Sequence, residues 1–195
     1  MDMNAKIQLM PIKHLPNIIS LLRLFLVAPF IYFFLNNQLS TSFALFILAA
    51  FSDGIDGWIA RFFNCQSRLG LILDPLADKV LIIVCFILLG YKHFLPISLV
   101  ALVLLRDMAI LFGAFISLFI LKKKQPLYPT IMSKFNTVFQ MFLIIFCLYD
   151  ACFQGVPIIV IQIMSILVGA TTSISFVQYL YKWHQEVRKN EKKCI

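Results

Sequence analysis

Charge is what this sequence has least of. Of 195 residues only 13% are charged and nine are acidic, whereas an average soluble domain carries about a quarter charged residues. The hydrophobic share is 61%. Runs such as residues 18–35, broken by one Arg, and 109–121, with no charge, are too numerous to be buried inside a domain this small. A membrane fold is therefore expected in place of a water-soluble one, with lipid the natural solvent for these runs. Paired CxxC spacing is also missing. The five cysteines are scattered, and Cys85 and Cys147 sit inside apolar runs as small fillers, which argues against a zinc site. Basic patches interleaved with aromatics on a polar surface are absent as well. The formal charge of +8 comes from residues flanking apolar stretches, so no nucleic-acid partner is expected. No internal repeat or low-complexity segment is found.

What is present is a series of spans. Since a membrane helix needs about 20 residues, hydropathy predicts six helices, near 15–35, 41–62, 70–90, 95–121, 133–152 and 157–181. Turn residues fall between them: Asn36-Asn37, residues 64–67, Pro96, Pro126 with Pro129, and Gly155 with Pro157. The first run is longer than a signal-peptide core and shows no small-residue cleavage site, so it reads as a retained helix. Residues 1–195 are expected to form one membrane domain, with 1–14 an interfacial N-terminal segment and 183–195 a basic tail.

Sorting Lys and Arg onto alternate sides tests this count. One side collects Lys6, Lys13, Arg61, Arg68, Lys122, Lys123, Lys124, Lys134, Lys182, Arg188, Lys189, Lys192 and Lys193, while the other holds only Lys92. The expected fold is an all-α integral membrane protein with six transmembrane helices and both termini cytoplasmic. Arg23, Lys79 and Arg106 fall inside spans, together with Asp53, Asp56, Asp74, Asp78 and Asp107.

An Asp at mid-span costs about 2.5–3.5 kcal/mol on insertion scales, so four across two consecutive helices need partners or a polar cavity. Asp53, Asp56, Gly57 and Ala60 lie at offsets 0, 3, 4 and 7, one face of a helix. Gly70, Asp74 and Asp78 step by four along another. A short link makes these helices antiparallel neighbours, and their acidic ends meet at the cytoplasmic side. Carboxylates converging there repel unless cations neutralise them or some of them are protonated, and a divalent metal pair is the economical solution. Oxygen-only ligands favour Mg²⁺ or Mn²⁺, as a pair of ions, and Mg²⁺ held by carboxylates usually completes its shell with water and substrate phosphates. The spacing therefore points to a diphosphate substrate. Gly57 and Ala60 either let it approach the backbone or let helices pack closely, and Arg61 offers charge-assisted hydrogen bonds. Pro75 suits either a helix start capped by Asp74 or a kink inside the helix.

The run Asp53-Gly-Ile-Asp56-Gly57-Trp-Ile-Ala60-Arg61, then eight residues, Gly70, three residues, Asp74, three residues and Asp78 resembles the defining motif of the CDP-alcohol phosphatidyltransferases at every fixed position. The resemblance covers the whole chain. It implies six helices, an active site between helices 2 and 3 at the cytoplasmic side, and a phosphatidyl group moved from CDP-diacylglycerol with release of CMP. By position, Asp53, Asp56 and Asp74 bind metal and the CDP diphosphate, with Gly57, Ala60, Arg61 and Gly70 beside them, while Asp78 binds metal and acts as general base. Pro16-Asn17, Ser20 and Arg23 are similar to the family's opening pattern, which places Asn17 and Ser20 at the nucleotide, although a simple helix cap by Asn17 is the plainer reading.

The acceptor is read from residues outside the motif. Lys79 resembles the glycerophospholipid branch as a whole, and within it Arg106-Asp107, Ser133-Lys134 and Asn136-Thr137 resemble the cardiolipin synthase version, with phosphatidylglycerol as acceptor. The alternative is glycerol 3-phosphate, as in phosphatidylglycerophosphate synthases, whose pattern has a further Arg where Gly113 to Phe115 supply none. Lys79, Arg106, Lys134 and Asn136 are the acceptor-binding candidates; as a competing reading, Arg106 only ties helices together and Lys134 only anchors a helix start. The resemblance also implies a homodimer, and the chain fits a bacterial inner membrane. A cation transporter is the competing class, disfavoured because the acids cluster at one end instead of lining a pathway.

Overall fold

A computed structural model describes the backbone of residues 10–63, 70–115 and 131–191, with side chains described for 21–52, 79–113 and 132–185. The described residues form six α-helices and no strand: α1 (Met10–Leu35), α2 (Leu39–Phe63), α3 (Gly70–Tyr91), α4 (Ile97–Phe115), α5 (Ile131–Phe153) and α6 (Ile158–Glu191). Two of them, over Met132–Phe153 and Ile158–Gln185, are long and apolar enough to cross a membrane by length and composition. Apolar side chains face outward along the helices: Phe25 is 69% exposed, Phe112 65% and Ile166 71%. Hydroxyls fold back on their own helices. Ser42, Ser52, Thr137, Ser165 and Ser173 each donate to the carbonyl four residues earlier. That bond satisfies the hydroxyl without water.

Two helices outrun the expected spans. α1 begins at Met10 instead of near 15, and α6 continues to Glu191, about ten residues past the predicted end at 181. Hydropathy marks where apolar residues stop, but helical hydrogen bonding does not stop there: the lysine- and arginine-bearing stretch after Tyr181 has no Pro or Gly to break it. Residues 116–121 of the expected fourth helix lie outside the described residues. α3 settles the Pro75 alternatives. It starts at Gly70, four residues before Asp74, so Asp74 is not its N-cap. Pro75 lies inside the helix and has no N–H for the Leu71 carbonyl.

Three helices end on a left-handed residue other than glycine: Asn37 (φ 61°), His93 (φ 61°) and Gln154 (φ 50°). After α1, Gln38 donates to the Phe33 carbonyl (2.9 Å) and Asn37 to that of Phe34 (3.2 Å). After α3, Phe94 donates to Leu89 (2.9 Å) and His93 to Gly90 (3.0 Å). Both are Schellman closures, which satisfy the last carbonyls of a helix and reverse the chain. Gln154 closes α5 with a single bond to Asp150 (2.8 Å). Pro96 and Pro157 then open the next helices, their carbonyls accepting from Leu99 and Val160.

The chain divides into two compact units, 1–88 with 148–154, and 89–147 with 155–195. In the first, α1 packs on α2. The buried residues among the described part of α1 are Arg23, Val27, Phe30 and Phe34; those of α2 are Ser42, Phe46 and Ala49. Alternating steps of four and three make each set one seam, as in paired coiled-coil helices. Phe30 meets Phe46 with ring centroids 6.4 Å apart, and Phe43 packs edge-on against Tyr149 and Phe153 of the α5 end.

In the second unit α4 packs on α6. Leu99 lies beside Gly169, Arg106 bonds Ser175, and Gly113 lies against Tyr179. The numbers climb together, so the two helices run parallel. The apolar core around them includes Val103, Leu143, Ile144 and Val168. Gly90 lets the end of α3 close onto α4, since a Cβ there would lie 2.9 Å from Val100 Cγ2.

Candidate active site

The motif residues fall on continuous helix. Asp53, Asp56, Gly57, Ala60 and Arg61 belong to α2, and Gly70, Asp74, Asp78 and Lys79 to α3. The backbone therefore has the periodicity the spacing requires. At about 1.5 Å rise per residue, Asp53 and Asp56 lie about 4.5 Å apart along their axis and Asp74 and Asp78 about 6 Å apart along theirs. Asn17 and Ser20 lie on α1. The side chains of residues 17, 20, 53–61, 70, 74 and 78 are outside the described residues. As a donor set, carboxylates placed one turn apart on two helices fit a hard divalent cation, which takes oxygen ligands and leaves positions for water and phosphate. Among the residues with described side chains, no group of three or more His, Cys, Asp or Glu is found.

A second polar group gathers three helices of the second unit. Arg106 and Asp107 of α4 are completely buried. The Arg106 guanidinium pairs with the Asp107 carboxylate and donates to the Ser133 hydroxyl of α5 and, at 2.8 Å, to that of Ser175 of α6. One turn along α5, Asn136 Oδ1 accepts from Thr171 and Thr172 of α6, each at 2.9 Å. Gln140 follows on the same face, also fully buried. Among the described residues, the Asn136 Nδ2, both amide atoms of Gln140 and Arg106 Nε find no partner. Each such buried group carries a desolvation penalty of about 1–3 kcal/mol when unpaired.

Two of the four acceptor candidates thus come together. Arg106 and Asn136 join one buried cluster, whereas Lys134, on the neighbouring turn of α5, is exposed. Lys79 is partly buried, in the first unit. The reading of Arg106 as a tie between helices is met by its bonds, and those bonds also leave unspent amides beside it.

A family model described as CDP-alcohol phosphatidyltransferase matches residues 13–175. The chain belongs to the CDP-alcohol phosphatidyltransferase family. It is 31% identical over 189 residues to a rat protein (Rattus norvegicus) named Cardiolipin synthase (CMP-forming), covering 89% of this chain and 63% of that one. The human protein of the same name is 30% identical over the same shares. A protein of Aquifex aeolicus named CDP-diacylglycerol--glycerol-3-phosphate 3-phosphatidyltransferase is 34% identical over 184 residues, covering 90% of this chain and 99% of that one. The chain therefore spans a little under two thirds of the rat and human relatives and nearly all of the Aquifex one. Both acceptor classes are represented at similar identity.

Sequence reasoning passed over several members of the buried cluster. Ser175, Thr171 and Thr172 sit in the run Thr171-Thr172-Ser173-Ile174-Ser175, the one dense patch of hydroxyls in α6, and that density was the available signal. Gln140, one turn beyond Asn136, carried no role in the sequence pattern. Tyr179 gave no signal. Its hydroxyl takes the space of a Gly113 side chain, 1.3 Å from where a Cβ would stand.

Proposed function

We propose that this protein is an integral membrane phosphatidyltransferase that takes the phosphatidyl group from CDP-diacylglycerol, releases CMP, and passes the group to phosphatidylglycerol to give cardiolipin. The family membership and the intact aspartate motif on two helices support the donor half of this reading. Asp53, Asp56, Asp74 and Asp78 would hold Mg²⁺ or Mn²⁺, which when bound supplies charge neutralisation of the diphosphate and of departing CMP. Arg61 donates to phosphate oxygens, while Gly57, Ala60 and Gly70 leave the helix backbones open to the nucleotide, bordered by Asn17 and Ser20. Asp78 accepts the proton of the acceptor hydroxyl. That oxygen forms the new bond to the phosphorus bearing diacylglycerol, and the bond from this phosphorus to the CMP oxygen breaks.

The acceptor half rests on one observation: the buried Arg106 charge is engaged by Asp107. A free phosphate acceptor calls for unspent positive charge, whereas the remaining groups of the cluster are amides and hydroxyls, suited to a neutral glycerol headgroup. Lys134, exposed beside Ser133 on α5, would serve the phosphodiester, and Lys79 remains a further acceptor candidate. The test supplies purified protein and CDP-diacylglycerol with either phosphatidylglycerol or glycerol 3-phosphate, and identifies the lipid formed alongside CMP. Cardiolipin from the first is expected. Phosphatidylglycerophosphate from the second, with no cardiolipin from the first, overturns the acceptor assignment and leaves the donor chemistry standing.

A further inference from the structure

The seam between α1 and α2 extends beyond its apolar part. Its members mirror one another about Gln38, the residue that closes the turn: Phe34 with Ser42, Phe30 with Phe46, Val27 with Ala49. The ring contact of Phe30 with Phe46 fixes this register in space. The α1 seam goes one step further, to Arg23, which is 2% exposed. On α2 the step after Ala49 is four residues, as between Ser42 and Phe46, and it arrives at Asp53, still on continuous helix. Asp53 is the mirror position of Arg23. The following step of three arrives at Asp56, whose mirror is Ser20. The hairpin is thus zipped by aromatic and aliphatic residues near its turn and by charged and polar positions at its open end.

A guanidinium buried in an apolar helix pair requires a counter-charge at close quarters. The only acidic residues on either helix are Asp53 and Asp56, and the register places Asp53 level with Arg23. We propose that Arg23 is a positioning residue: it pairs with Asp53 and holds that carboxylate in place for the divalent cation and the donor diphosphate. Residues 53 and 56 then differ in kind, the first held from behind by a cation, the second level with a hydroxyl. Arg suits the task better than Lys, because its planar fork can bind one carboxylate oxygen and leave the other to a metal. The proposal rests on Asp53 being a metal ligand, and its test separates the two claims.

The measurement is a double-mutant cycle. Wild type, R23Q, D53N and R23Q/D53N are purified in detergent, their melting followed in EDTA and their Mn²⁺ affinity measured by titration. In EDTA, R23Q is expected to melt lower than wild type, and R23Q/D53N to melt above R23Q, because no charge is then left alone. R23Q is expected to weaken Mn²⁺ binding about tenfold, the loss typical of a removed ligand-orienting partner, and by less than twofold in the D53N background. R23K, which restores the charge, is expected to recover the melting temperature and part of the Mn²⁺ affinity. Should R23Q fail to fold, R23K and R23K/D53N close the same cycle. Equal effects of the Arg23 substitution in both backgrounds overturn the pairing. Coupled melting with unchanged Mn²⁺ affinity in R23Q overturns the positioning role. Wild-type Mn²⁺ affinity in D53N overturns the metal assignment instead, while the cycle in EDTA still reads the pairing.

Discussion

Asp107→Asn gives the sharpest expectation from the described side chains. It keeps the shape of the residue and removes its charge, leaving the fully buried Arg106 guanidinium among neutral groups, the hydroxyls of Ser133 and Ser175 included. Breaking a buried ion pair on one side costs about 3–5 kcal/mol. For a chain of this length each kcal/mol moves the melting temperature by about 2–4 °C, so D107N is expected to melt about 6–20 °C below wild type in detergent. The companion R106M/D107N removes both charges and frees hydroxyls that can turn back to their own helix carbonyls. It is expected to regain more than half of the loss. Function shifts as well: D107N exposes a cationic charge that the native cluster neutralises, so the ratio of glycerol 3-phosphate to phosphatidylglycerol turnover should rise. A D107N protein melting within about 2 °C of wild type, or a double variant no more stable than D107N, refutes the claim that the pair neutralises a buried charge.

Three more substitutions probe other parts of the account. Asp78→Asn is expected to abolish CMP release while the protein still folds and binds CDP-diacylglycerol; near-normal CMP release would remove Asp78 from the base role. Gly113→Ala puts a methyl where the Tyr179 hydroxyl lies, so it should cost about 1–3 kcal/mol in thermal unfolding, and the double variant with Tyr179→Phe should recover part of it. Phe46→Ala empties a fully buried position at the α1–α2 seam and should cost about 3–5 kcal/mol, measured the same way.

Much of the helix plan is legible in the sequence, because apolar runs of span length and the turn signals Asn36-Asn37, Pro96 and Pro157 mark both ends of most elements. The Asn37 cap follows from the tolerance of asparagine for left-handed backbone, whereas His93 and Gln154 in the same role have no such signature. The helical course of the motif is legible from the offsets of Asp53, Asp56, Asp74 and Asp78. The cluster around Arg106 is only half legible. A charged pair inside a span announces itself, but which hydroxyls meet it depends on the parallel packing of α4 on α6 and on residues 69 positions apart, such as Arg106 and Ser175. The seam that carries Arg23 is visible as a heptad once the length of the turn at Gln38 is known; before that, the register of the two helices is free.

The central claim is that the aspartates on α2 and α3 carry metal-dependent transfer from a CDP-linked lipid. The direct measurement is CMP release from CDP-diacylglycerol by the purified protein with phosphatidylglycerol supplied, first in EDTA, then after adding Mg²⁺ or Mn²⁺, in wild type and in D53N, D56N, D74N and D78N. The account predicts no CMP in EDTA, full recovery with added metal in wild type, and no recovery in the four variants although each still folds. CMP release at the wild-type rate in EDTA, or in any of the four variants, would contradict it.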